Sequence, residues 1–232
     1  DLPLCARDKR PPMSILVKIC GINSPEAADA ALSAGADFCG LVFHAGSPRN
    51  VNAEQAASLA GRMRGRARIV ALLADASDEE ITAAMRAAQP DMLQLHGKES
   101  PERVAGLRAR FRVDVIKAIS VAEAADLASV PAYEAVADML LFDAKAPAAA
   151  ARQGGHGAAF DWQILSGRNF VRPWLLAGGL HSENVSRAIR TSGAPGVDVS
   201  SGVESAPGVK SAEKIRAFVA AARAAQFERE TQ

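Results

Sequence analysis

The chain has 232 residues, 49% of them apolar, enough for one sizeable core or two small ones. Its 27 basic side chains nearly cancel its 26 acidic ones, and no basic stripe interleaved with aromatics offers a face to nucleic acid. No apolar run approaches the roughly 18 residues of a membrane helix, no signal-peptide pattern opens the chain, and three scattered cysteines suit a reducing compartment, so a cytoplasmic globular protein is expected.

Residues 1–13 mix charge and proline without periodicity and read as a flexible extension; Cys5 lies there and receives no role. One domain, 14–232, is expected to follow. Its first apolar run, Ile15–Ile19, ends in Lys18-Ile19-Cys20-Gly21 and breaks at once into Ser24-Pro25-Glu26, a capping residue ahead of proline and acid that opens a helix to Ala34. Phe38–Phe43 leads through "HAGSPRN" into a helix over Ala53–Arg62. Ile69–Leu73 passes Asp75 and the start signal Ser77-Asp78-Glu79 into Asp78–Ala88. Met92–Leu95 runs into "QLHG", with His96, and then from Ser100 into Pro101–Arg110. Val113–Ile119 contains Lys117, and Met139–Phe142 ends on Asp143. Trp174–Ala177 gives way to "AGGL" and a helix over Ser182–Arg190, and Gly196–Val199 to "DVSSGVE" and a helix over Val209–Ala225.

The strands lack strict alternation, as expected where crossover helices bury both sheet faces. Eight strand–helix units in one chain predict a (β/α)8 TIM barrel. An open doubly wound sheet would carry a G-x-G-x-x-G turn after its first strand, and "KICGINSPEAA" has none. In a barrel, chemistry gathers where strands end and βα loops begin. Lys18, Cys20, Asp75, His96, Lys117, Asp143 and the glycine-rich turns are all expected around that one mouth.

The turns "AGGL" and "DVSSG" follow the seventh and eighth strands, where such barrels often bind phosphate through backbone amides. Gly178, Gly179, Ser200, Ser201 and Gly202 are the candidates; the bland alternative is two tight turns that need glycine. Cys20 could be a small core hydrophobe, as Cys39 inside the second strand is expected to be. Its place at a strand tip, with Lys18 on the same face, predicts instead a thiol pKa lowered from about 8.5 toward neutrality. Asp143 would face Cys20 across the ring as an acid opposite a base, unless it only caps a loop or pairs with Lys145. Arg49 suits a bidentate contact with a carboxylate, or is a solvated loop residue; His96 is expected to bind the substrate, as a spare base or a simple hydrogen-bonding partner. No cluster has metal-ligand spacing, and no cofactor signature is present.

Taken together, "KICGI", "GLVF…SPR", "LQLHG", "LFDAK…GGHGAAFDW", "LAGGL…NV" and "GVDVSSGVE…PGVKS" resemble the phosphoribosylanthranilate isomerases of tryptophan biosynthesis, from about Ile15 to Ala224. The resemblance implies a cofactor-free barrel acting on a small phosphosugar by an Amadori rearrangement. It implies Cys20 as general base, Asp143 as general acid, Arg49 on the anthranilate carboxylate, and Gly178, Gly179, Ser200, Ser201 and Gly202 on phosphate. Two positions depart from the family pattern: His156 stands where a threonine is common, and Gly46 where a lysine often is. Competing readings are a histidine-pathway aminoaldose isomerase or dual-substrate relative, which would use aspartate at position 20, and a catalytically silent phosphate-binding barrel. Monomer and homodimer both remain open.

Overall fold

Capping residues at the starts of four helices and a run of β-branched and aliphatic residues in each strand set the alternation of elements. The computed structural model describes residues 14–145 and 159–230, with side chains to residue 225. Its strands are β1 (Leu16–Cys20), β2 (Phe38–Val42), β3 (Arg68–Leu73), β4 (Met92–Leu95), β5 (Asp114–Val121), β6 (Met139–Ala144), β7 (Trp174–Leu176) and β8 (Gly196–Val199). All eight are parallel, each pairs with the next, and β8 pairs back onto β1, so the sheet closes as a (β/α)8 barrel. The helices are α1 (Pro25–Ala34), α2 (Ala53–Met63), α3 (Asp78–Ala88), α4 (Pro101–Phe111), α5 (Val130–Glu134), α6 (Val185–Ser192) and α7 (Ala212–Glu230). The start signals read at Ser24, Ser77 and Ser100 act as expected, and Asn52 adds a cap that those signals do not include. Ser24 and Ser100 accept from the amides of Ala27 and Arg103, and Asn52–Gln55 and Ser77–Glu80 form reciprocal capping boxes.

Side-chain parity divides the strands into two cores. Phe38, Val70, Met92, Ile116, Ala118, Met139, Leu141, Leu175 and Ala177 fill the barrel, while alternate residues such as Ile19, Leu41, Leu93 and Leu140 pack against the helices. Cys39 belongs to the outer set, wholly buried, and burial pushes its thiol up to about 12. Two residues further along the inward positions turn polar: Lys18 and Cys20 follow Leu16, Gln94 follows Met92, and Asp143 follows Leu141. That change of character defines the mouth.

Four local expectations need correction. Lys117 lies between the inward Ile116 and Ala118, so it faces the helices; its ammonium bonds Gly97 O at 2.6 Å and Glu99 at 2.8 Å and staples the loop after β4 from outside. Asp75 is exposed and accepts from the amide of Lys98, a loop clasp on the rim. The segment from Val209 opens as a strand, because Gly208 (φ +80°) turns β9 (Glu204–Ala206) back onto β10 (Val209–Lys210) before α7 begins. The helix expected from Ser182 starts at Val185, since Asn184 is spent on the preceding turn: its side chain accepts from His181 N and donates to Gly179 O. Between β6 and β7, the described residues contain only a 3₁₀ turn at Trp162–Leu165, and Phe142, Phe170 and Trp174 cover that flank with ring centroids 4.7–5.4 Å apart.

Gly196 marks the closed end of the barrel, where a Cβ would meet Leu175 Cδ2 at 2.5 Å and Leu16 Cβ at 2.8 Å. Gly196→Ala therefore overpacks the seam between β1 and β8. It is expected to destabilise by about 1–3 kcal/mol, read as a lower urea midpoint at unchanged slope. An unchanged midpoint would mean that the inner core yields more readily than its packing implies.

Candidate active site

Three residues of the β1–β8 seam form the deepest part of the mouth. Lys18 is fully buried and donates to Asp198 Oδ1 at 2.8 Å across the register that pairs the two strands. Cys20 is 4% exposed and shares that compartment: a Cβ at Gly40 on β2 would stand 3.0 Å from Cys20 Sγ and 3.3 Å from Lys18 Nζ. Only glycine fits there without displacing them. The burial of Lys18 is offset by the charge of Asp198, which holds its ammonium above the ordinary lysine range. The Cys20 thiol, expected to be lowered, is instead raised. Burial is the largest cause, and although Lys18 and Lys210 pull downward, Asp198 works against them. Lys18 is visible two residues away in the sequence, whereas the carboxylate that partners it lies 180 residues further on.

On the other side of the mouth, β6 presents Asp143, 6% exposed. Its Oδ1 accepts from the amide of Ala144 at 2.9 Å, and its Oδ2 lies 3.1 Å from His96 Nε2. Gln94 Nε2 is 2.9 Å from His96 Nδ1, so β4 and β6 share one chain of polar contacts. His96, singled out in sequence, thus sits on Asp143. Gly178 (φ +87°) brings the β7 turn against this pair; a Cβ there would stand 2.6 Å from Ala144 N.

Arg49 is 5% exposed, so it is no solvated loop residue. Its Nε and Nη2 donate to the two oxygens of Glu204 at 2.6 and 2.8 Å, a bidentate pair that ties the loop after β2 to β9. Lys210 on β10 donates to the same carboxylate at 2.8 Å and to Ser200 O at 2.9 Å, and the Ser200 hydroxyl donates to Cys20 O at 3.1 Å. Burial alone would raise the Glu204 carboxyl, but Arg49 and Lys210 together hold it below its ordinary value. Burial lowers Lys210, and Glu204 restores only part of that loss. Glu204 and Lys210 are functional residues that the sequence motifs contain without marking a role for them. A carboxylate and a lysine in a short glycine-containing hairpin were the available signal.

The two glycine-rich turns meet. Gly202, in the 3₁₀ turn Ser201–Val203, lies so close to the β7 turn that a Cβ would overlap the carbonyl oxygen of Leu180. Gly178, Gly179, Ser200, Ser201 and Gly202 are therefore brought together beside β1. Cys5, Gly154, Gly155 and His156 lie outside the described residues. Among the described residues no cluster of three His, Cys, Asp or Glu side chains could hold a metal ion, and no helix is long and apolar enough to cross a membrane.

A family model described as N-(5'-phosphoribosyl)anthranilate isomerase matches residues 17–221. The chain belongs to that family. It is 52% identical over 214 residues to the phosphoribosylanthranilate isomerase of Rhodopseudomonas palustris strain BisA53, covering 92% of this chain and 98% of the relative. It is also 54% identical over 213 residues to that of Afipia carboxidovorans, covering 92% and 91%. The solved phosphoribosylanthranilate isomerase of Thermotoga maritima is similar in structure, with a TM-score of 0.80 at 32% identity over 90% of this chain and 99% of that one. A second such structure, in complex with reduced 1-(o-carboxyphenylamino)-1-deoxyribulose 5-phosphate, gives a TM-score of 0.77, also at 32% identity and the same coverage. The activity is that of a phosphoribosylanthranilate isomerase, an enzyme of tryptophan biosynthesis.

Within that site the Glu204 carboxylate is shared by two buried cations, Arg49 and Lys210. Because its folded value is depressed, its contribution to stability is present above the unfolded carboxylate value and is lost as pH falls through the folded one. Glu204→Gln is expected to cost about 1.5–3 kcal/mol at neutral pH, the worth of a hydrogen bond to a charged partner. Denaturation measured against pH should show the gap to the wild type closing on the acid side. A gap that stays constant with pH would show that charge plays no part.

Proposed function

We propose that Cys20 and Asp143 divide the isomerisation as base and acid, with Arg49 and the two glycine-rich turns holding the substrate's ends. The observation that carries this reading is their placement: both project inward at the polar end of one barrel, from β1 and β6, in a mouth rimmed by Arg49 and the turns after β7 and β8. Gly178, Gly179, Ser200, Ser201 and Gly202 cradle the phosphate through closely packed backbone, and Lys210 beside Ser200 adds positive charge. Glu204 occupies Nε and Nη2 of Arg49, so the anthranilate carboxylate is taken at Nη1, with the guanidinium plane fixed in advance. His96 serves the substrate only through Asp143.

Asp143 protonates the ribose ring oxygen as the anthranilate nitrogen pushes the ring open to an iminium. Cys20, as thiolate, then removes the proton from C2′, giving an enolamine that tautomerises to the ketone. Burial keeps most of the free enzyme in the thiol form, so kcat/KM should rise with pH as Cys20 ionises. The iminium charge in the complex favours the thiolate, as a nearby cation does. A thiol base also fits a reducing cytoplasm.

The test is turnover of freshly prepared phosphoribosylanthranilate, followed by loss of its fluorescence. Cys20→Ser and Asp143→Asn should each lower kcat by about 10²–10⁴-fold with little change in KM. Arg49→Ala should instead raise KM, by the equivalent of about 1.5–3 kcal/mol. Near-normal turnover in Cys20→Ser would return the thiol to the core and leave the base to be sought elsewhere in the mouth.

A further inference from the structure

Gln94 is wholly buried, yet its amide is half used. Nε2 donates to His96 Nδ1 at 2.9 Å, while Oε1 has no hydrogen-bond partner among the described residues. A bare acceptor in a packed interior is costly, and a methionine would fill the same space without it. The amide's neighbour gives it a purpose.

An amide nitrogen only donates, so His96 Nδ1 accepts with its lone pair and the ring proton of the neutral imidazole sits on Nε2. Nε2–H then donates to Asp143 Oδ2 at 3.1 Å. That arrangement suits Asp143 as a carboxylate, its state after delivering a proton. An Asp143 carrying its proton on Oδ2 needs the opposite: Nε2 accepting, the ring proton on Nδ1, and an acceptor facing Nδ1. A half-turn of the Gln94 amide supplies that acceptor, because Oε1 takes the place of Nε2 with almost no change of shape.

We propose that Gln94 is a positioning residue that sets the His96 tautomer and so the proton held at Asp143, its amide turning over each time the acid is emptied and refilled. This rests on Asp143 being the general acid. The two states differ by one proton, drawn from solvent; the Nε2 proton passes to Oδ2, and the ring ends with its proton on Nδ1. β4 brings Gln94 and His96 to this chain, β6 brings Asp143, and β7 brings the backbone of Gly178. The other titratable groups inside the barrel, Lys18, Cys20 and Asp198, are gathered at the β1–β8 seam.

The decisive experiment is ¹⁵N NMR of the His96 ring in the full-length wild-type enzyme across pH, the signal assigned by its loss in His96→Asn. The expected result is the Nε2–H tautomer at the alkaline end and a protonated Nδ1 once the pair is loaded. In Gln94→Glu, whose carboxylate can only accept, Nδ1 should stay protonated throughout, and the descending limb, on which kcat falls as the acid is emptied, should move to higher pH. In Gln94→Met, kcat should fall about three- to tenfold, the worth of one neutral hydrogen bond, with KM within about twofold. A wild-type ring that keeps one tautomer on both sides of that limb overturns the proposal, and so does a folded Gln94→Met enzyme with normal kcat and pH profile. The wild-type spectrum needs no variant to fold. A tautomer switch alongside full activity of Asp143→Asn would instead discredit the acid assignment and leave the switch standing.

Discussion

The ion pair between Lys18 and Asp198 is the constraint on which this barrel depends. It crosses the seam where the first and last strands meet, joining residues 180 positions apart at the point where the sheet must close. A buried pair of this kind stabilises little by itself, because desolvating both charges offsets most of their attraction. Removing one partner, however, leaves the other stranded, so the two hold each other in place. Their presence also fixes where the apolar plug stops and the polar mouth begins. Cys20, one pleat further along β1, inherits a compartment whose field was set for closing the barrel.

The second layer of the mouth repeats that logic at larger radius. Arg49, Glu204 and Lys210 come from a loop and a hairpin with no reason of their own to meet, and their charges dock β9–β10 over the end of β1. Lys210 reaches Ser200, and Ser200 reaches the Cys20 carbonyl, so the turn after β8 and the tip of β1 are tied into one unit. Lys117, Glu99 and Asp75 do comparable work on the opposite rim, outside the barrel, where they brace loops and leave the interior alone. Polar residues at strand ends are thus of two kinds, and the strand's parity separates them.

Much of this was legible in the chain. Strand–helix alternation, capping residues and the turns after β7 and β8 led to the barrel and its mouth, because each is a local signal of fixed period or fixed chemistry. Parity would also have placed Lys117 outside, had its neighbours Ile116 and Ala118 been read as inward. What lay beyond sequence reasoning was pairing at a distance. Glu204 belongs to Arg49, 155 residues away, and its hairpin is too short to show periodicity. The raised Cys20 thiol depends on its burial first and then on Asp198, neither of which "KICG" reveals. Gln94 reads as one polar residue in an apolar strand until His96 and Asp143 are seen beside it.

That the seam pair and the thiol form one electrostatic unit serving catalysis is the claim at the centre of this site. It is tested most directly by the pH dependence of kcat/KM for phosphoribosylanthranilate in wild type and in Lys18→Met. The downward pull of Lys18 on the thiol outweighs the upward push of Asp198. Losing the ammonium should therefore raise the thiol whether Asp198 then stays charged or takes a proton. The ascending limb should move to higher pH in the variant. A limb that stays in place, or moves down, would separate Cys20 from the seam pair and contradict the account.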